Sequence, residues 1–230
     1  MTHLRLESLP STRIDVRRSA RARRLRLRVS NLDGRVTLTM PAGMNLRAAQ
    51  DFAERKAKWI ASAVEGRPCP TLVDVGVEIP VEGKSCMVVS GSVSTARFAD
   101  GAIVAPAHNA AHAVMALLKD LASERLTAAA QRHSCAVGRD FRRLTLKDTR
   151  SRWGSCSAEG NLMFSWRLIL APPGVLDYVA AHEVAHLRHM DHSRAFWSVV
   201  SAICPKYQVS RNWLRREGAG LHRYRFSPGD

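Results

Sequence analysis

Residues 178–197 read Tyr178-Val179-Ala180-Ala181-His182-Glu183-Val184-Ala185-His186-Leu187-Arg188-His189-Met190-Asp191-His192-Ser193-Arg194-Ala195-Phe196-Trp197. Up to Leu187 the stretch is apolar apart from two histidines and one glutamate, and it holds no Gly or Pro, so it predicts a helix. Helical residues four apart lie one above the other, which puts His182 and His186 on one face. A glutamate and two histidines on an otherwise apolar helix are costly to bury without a task. The pattern is H-E-x-x-H: two imidazole nitrogens offered to one metal ion, with Glu183 beside the ion rather than on it. Placed there, Glu183 can take a proton from a water molecule and pass it to a leaving group.

Catalytic zinc takes three protein ligands and leaves one position open. Four residues compete for the third place. His192 lies six after His186, the metzincin spacing, although His189 stands where that pattern has Gly. His189 itself would line its nitrogen up along the helix axis, and its other reading is a residue facing substrate or supporting the ligands. Asp191 reads equally as a turn residue. Glu217 sits in an Arg-rich segment that suits it poorly. Spacing alone leaves the choice open.

Outward from this helix, Pro172-Pro173-Gly174 marks its start near Val175, and Ser193 can cap a following helix through about Ile203. Residues 209–217 can form a last short helix. Arg143–Asp148 and Leu162–Leu170 read as strands, and 108–132 as a helix. Residues 71–105 read as short strands with turns at Gly76, Gly83, Gly91 and Gly101. Nearer the N-terminus, Arg24-Leu25-Arg26-Leu27-Arg28-Val29 alternates with period two. Asn31-Leu32-Asp33-Gly34 supplies turn chemistry, and Val36–Met40 resumes the alternation, so a β-hairpin is expected. The hairpin arginines fit a solvated outer face and an anion-binding face equally well. Asn45 can cap a helix over 46–64, with Leu46, Ala49, Phe52, Ala53, Ala57 and Ile60 on one stripe; Gly66, Pro68 and Pro70 then break the chain. A β-rich part with one helix over 1–105 and a mostly helical part over 106–230 are expected, with one continuous domain as the alternative.

The chain has 230 residues, a net charge of +15 and 46% hydrophobic residues, which excludes a disordered tail or a fibre. Residues 1–70 carry fifteen Lys/Arg against six Asp/Glu, a net of +9, and 141–230 carry fourteen against seven, a net of +7. The segment between is close to neutral. Basicity on this scale raises nucleic acid or a nucleotide as a partner. Cys69, Cys86, Cys135, Cys156 and Cys204 are odd in number and contain no C-x-x-C pair. They predict reduced thiols and a cytoplasmic setting rather than a disulfide framework. No signal sequence or membrane-spanning run is legible.

Three blocks resemble the YgjP-type metallopeptidases, relatives of the SprT-like proteases. They are Arg150-Ser151-Arg152-Trp153-Gly154-Ser155-Cys156-Ser157, the segment Asn161–Leu170 ending in Trp166-Arg167-Leu168-Ile169-Leu170, and His182-Glu183-x-x-His186 followed by His192-Ser193-x-x-Phe196-Trp197. Order and spacing fit across about residues 140–208, and a weaker likeness extends to the N-terminal hairpin and helix. Met190-Asp191 departs from the family, standing where a Pro-Asn-like loop is expected. The resemblance implies a zincin-like α+β fold, with a small antiparallel or mixed sheet packed on the active-site helix. It implies one Zn²⁺ held by His182, His186 and His192, with Glu183 as general base. The local reading agrees: a helix ending near Met190-Asp191 lets the chain reverse so that His192 faces back, and Phe196, Trp197 and Val200 give the next helix an apolar face.

The block 150–157 can form an edge strand and loop beside the metal, open to an extended peptide. There Gly154 allows close backbone approach, Arg152 can stabilise an oxyanion or phosphate, and Trp153 serves either as a substrate contact or as a core anchor. Arg152, Trp153, Gly154 and His189 are therefore expected around the site without being ligands. Cys156 reads as a small buried residue, and Tyr178 and Tyr207 as packing groups within reach of the site. His108 and His112 repeat the four-residue spacing without a glutamate or a third partner, and read as a solvent-facing pair. The expected function is zinc-dependent hydrolysis of a peptide or protein substrate. Hydrolysis of a nucleotide phosphoanhydride, action on proteins bound to nucleic acid, and non-enzymatic nucleic-acid binding are the alternatives. Imidazole ligands also suit iron, cobalt and nickel.

Overall fold

A computed structural model describes residues 2–30, 34–65 and 70–227. The chain divides into two units, Met1–Cys69 and Pro70–Asp230, each with its own hydrophobic core. The boundary expected near 105 falls inside the second unit, because the strands of 71–105 share a core with the helix that follows them. The turn residues 31–33, the break at Gly66 and Pro68, and Cys69 lie outside the described residues.

The first unit is a four-stranded sheet with two helices. Its strands are β1 (Thr2–Leu6), β2 (Leu9–Ser19), β3 (Arg26–Val29) and β4 (Val36–Pro41), in the order β1-β2-β4-β3. The expected hairpin is the antiparallel pair β3–β4, in which Leu27 faces Leu38 and Val29 faces Val36. Strands β1 and β2 were not anticipated. Their alternation is carried by only two buried residues each, Leu4 and Leu6, and Ile14 and Val16. Parallel pairing of β2 with β4 places Ile14 and Val16 beside Val36 and Leu38, and pairing of β1 with β2 adds Leu4 and Leu6 to the same core. The helix expected over 46–64 is two helices, α1 (Leu46–Arg55) and α2 (Ala57–Glu65). Asn45 caps α1 by accepting from the Arg47 N–H at 3.0 Å, and Lys56 ends it by donating its N–H back to Ala53. Ala49, Ala53, Ala57 and Ile60 form the buried stripe across both helices.

The second unit begins with β5 (Thr71–Leu72) and a four-stranded sheet of β6 (Glu78–Val81), β7 (Lys84–Ser90), β8 (Arg97–Ala99) and β9 (Ala102–Ala105), ordered β6-β7-β9-β8. Helix α3 (Ala110–Val137) follows. It buries Val114, Leu118, Ala122, Leu126, Ala129, Ala130 and His133 along one face, and Gly138 closes it in the left-handed conformation. Strands β10 (Arg143–Lys147), β11 (Gly154–Cys156) and β12 (Asn161–Ser165) make a mixed sheet, β10-β12-β11, with β11 at its edge. The strand expected over 162–170 stops at Ser165, and Trp166–Leu170 is a 3₁₀ turn whose five residues are all buried. A run apolar except for Ser165 and Arg167 has no clear period to separate strand from turn.

Helices α4 (Pro173–Ala185), α5 (Arg194–Ile203) and α6 (Tyr207–Glu217), a 3₁₀ segment and β13 (Tyr224–Arg225) complete the unit. Its class is α+β, with a small mixed sheet on the helix that carries His182. Two features set the position of α4. At the β6–β7 turn, Gly83 has φ of 77° and packs on Pro172; a Cβ there would lie 3.0 Å from the Pro172 Cα. In the turn before α4, the buried Arg167 grips Asp148 with two hydrogen bonds of 2.7 and 2.9 Å and donates to the carbonyls of Leu221 and Tyr224. That clamp ties the C-terminal segment to the end of β10. No helix among the described residues is long and apolar enough to cross a membrane.

Candidate metal centre

Helix α4 is apolar on every side because it is packed on every side, and Val179, Ala180, Ala181, Val184 and Ala185 are all buried. Only a helix held this firmly presents two histidines at a fixed angle, and the rings of His182 and His186 stand 5.1 Å apart and nearly perpendicular. The chain leaves the helix after Ala185, reverses through Met190-Asp191, and restarts at Ser193. The Ser193 hydroxyl accepts from the Phe196 N–H at 3.4 Å, while the Asp191 carboxylate accepts from the Ser193 N–H at 3.3 Å. Those two caps return His192 to the helix: its Nε2 lies 3.1 Å from His182 Nε2. The ligand atoms of His182, His186 and His192 all fall within 4.8 Å of one another.

Phe196 organises the three rings. It is fully buried, one turn after His192, and its ring centroid lies 4.9 Å from His182, 4.5 Å from His186 and 4.8 Å from His192. His186 donates its Nδ1–H to the His189 carbonyl at 2.9 Å, which fixes the tautomer and leaves Nε2 with its lone pair. His189 thus supports a ligand through its backbone. His182 Nδ1 is buried with no partner among the described residues. Burial holds the His182 pKa at about 4, helped by the neighbouring His186 and His192, and burial likewise lowers His186. Both rings are therefore neutral near pH 7, the state a metal requires of its ligands. Two ligands of a tetrahedral zinc at about 2.0–2.1 Å stand about 3.4 Å apart, close to the separation of the His182 and His192 nitrogens. The donor set fits such an ion. His192 is exposed, so the centre opens to solvent on that side.

Glu183 packs against β11. It is 6% exposed, and burial pushes its carboxyl up to about 7, with the Arg152 charge pulling it down. Gly154 makes the space for it: a Cβ at that position would lie 2.6 Å from Glu183 Cγ and 2.7 Å from Oε1. Arg152 is exposed beside this contact, and Trp153 packs against His222 at 5.0 Å and against Gly218. Of the four residues expected around the ligands, Gly154 meets Glu183, Arg152 acts on it through its charge, His189 meets His186, and Trp153 anchors the block to the C-terminal segment. Cys156, expected to be buried, is only half-buried at the sheet edge, and its thiol is pushed up to about 11 by burial and the Glu183 charge, so it stays protonated.

Tyr178, Tyr207 and Trp197 stack along one flank of His182, with the Arg211 guanidinium 4.6 Å over the Trp197 ring. Arg211 had no sequence signal; the role of Phe196 was legible in its four-residue offset from His192. His108 and His112 are both exposed, and the only group of three metal-ligating side chains among the described residues is His182, His186 and His192. Asp191 is engaged as a cap, and Glu217 is exposed at the end of α6. No curated protein and no solved structure matches the chain. The family model of the YgjP-like metallopeptidase domain matches residues 23–217, most of the chain. By that match the chain belongs to the YgjP-like family of metallopeptidase domains.

Proposed function

We propose that the chain is a zinc-dependent peptidase in which His182, His186 and His192 hold the ion and Glu183 moves the proton. The observation that supports this best is the convergence of three imidazoles beside a buried carboxyl that faces an edge strand. A zinc ion would supply Lewis acidity, polarising a scissile carbonyl and acidifying a water molecule. Glu183 accepts the proton of the attacking water on its carboxylate, keeps it out of bulk solvent, and delivers it to the departing amine. Strand β11 has a free edge among the described residues, and an extended peptide pairing there lies alongside the Gly154–Glu183 contact. Arg152, exposed next to Glu183, is placed to meet negative charge that develops on the substrate.

The test is metal analysis and turnover on a panel of peptides, proteins and nucleoside triphosphates, comparing wild type with three variants. His182→Ala and His186→Ala should lose the metal. Glu183→Gln should keep it while turnover falls by about 10²–10⁴. Unchanged turnover in Glu183→Gln would refute the proton role, and phosphoanhydride cleavage without peptide cleavage would refute the substrate class.

A further inference from the structure

One cavity of the first unit has no part in the chemistry above. It is an open groove of about 910 Å³ between the β2–β3 loop, strand β3 and the junction of α1 and α2. Arg21, Arg23, Arg24, Arg26 and Lys56 line it, and no Asp or Glu does. All five are exposed, and no carboxylate pairs with any of them among the described residues. The acid of this sheet, Asp15, is engaged elsewhere, by Arg13, Arg35 and His3. Trp59 stands at the same groove, 49% exposed, directly before the buried Ile60. Five unpaired cations held close together repel one another, and a large aromatic left in water forgoes burial, so both features cost stability in the free protein.

We propose that this groove binds single-stranded nucleic acid, with the arginines and Lys56 on the phosphates and Trp59 stacked against a base. A cationic groove bearing an exposed aromatic ring matches what an unpaired strand offers, a line of phosphates and free base faces. A duplex keeps its base faces stacked inside and cannot use Trp59. A lipid surface is flat and needs a convex or planar patch, whereas these cations line a concavity. Arg28, exposed further along the edge strand β3, and the net charge of +9 over residues 1–70 extend the positive surface beyond one nucleotide. The groove uses none of the metal-centre residues, so the inference stands or falls apart from the peptidase reading.

Fluorescence anisotropy of a labelled oligothymidine of about 20 nucleotides, titrated with the full chain, tests it. Binding should appear at about 50 mM salt, and its logarithm should fall linearly with the logarithm of salt, by about 0.7 per phosphate contacted. Arg23→Glu with Arg24→Glu should weaken binding at least about tenfold. Trp59→Ala should weaken it about tenfold, while Trp59→Phe should bind nearly as wild type and lose the tryptophan quenching that wild type shows. Unchanged circular dichroism and metal content in each variant separate loss of binding from loss of fold. The proposal is overturned if the oligonucleotide does not bind at low salt, or if these variants bind it as wild type does. Displacement of the oligonucleotide by stoichiometric nucleoside triphosphate, or binding to anionic vesicles alone, overturns it equally.

Discussion

The two units treat positive charge in opposite ways. In Pro70–Asp230, four arginines have partners in the fold: the buried Arg167 on Asp148, and the more exposed Arg132 on Asp177 at 2.8 Å, Arg125 on Glu82 at 2.9 Å, and Arg211 over Trp197. In Met1–Cys69, four arginines and Lys56 share a groove without an acid. The net charge of +15 is therefore a sum of two unlike things. In the second unit some of the cations are tied to carboxylates or an aromatic ring of the fold; in the first a cluster of them is presented outward. Total charge cannot tell them apart, because it carries no information on which cation finds a carboxylate.

The sharpest way to break this contrast is at Arg167. Removing it strips Asp148 of its partner and leaves the carbonyls of Leu221 and Tyr224 without a donor. Arg167→Ala should cost about 3 kcal/mol in denaturant unfolding, the low end for a buried pair because Asp148 is 43% exposed. Gly154→Ala comes next: its methyl group would overlap Glu183, so turnover should fall about a hundredfold while bound metal is retained. Turnover within a fewfold of wild type would show that Glu183 has room to move.

A smaller effect concerns pH. The His133 hydrogen bond, 2.9 Å long, and then the charges of His133 and Arg132 hold the Asp177 carboxyl below its ordinary value of 3.8. The folded chain thus binds this proton less readily than the unfolded chain. The resulting stability is present above about pH 4 and is lost as pH falls through the folded value. Asp177→Asn should flatten the acid limb of the stability curve; an unchanged limb would place the acid sensitivity elsewhere. The smallest effect belongs to the groove. Arg23→Gln should alter unfolding free energy by no more than about 0.5 kcal/mol, since the side chain supports nothing in the fold. A larger loss would turn the outward charge into structural charge and erase the contrast.

Much of the candidate site is legible in the order of residues. Helix α4, its histidine pair and the Ser193 cap all depend on neighbours within a few positions. The hairpin β3–β4 is legible for the same reason. What escaped was non-local. Strands β1 and β2 become strands by pairing, with few buried residues to announce them. Trp166–Leu170 is a 3₁₀ turn from which Arg167 reaches Asp148, nineteen positions earlier. The strands of 71–105 join the second unit because their apolar residues share its core.

The sequence alone determines that His182 and His186 share a face with Glu183 beside it, since that follows from 3.6 residues per turn. It also determines the excess of arginine over acid in the first seventy residues. The folded chain decides that His192 comes within 3.1 Å of His182, that Gly154 opens the space Glu183 occupies, and that the arginines of the first unit face a groove with no acid in it. Each of these is a meeting of residues distant in sequence or separated by a reversal of the chain. Helical periodicity cannot encode such meetings; packing sets them.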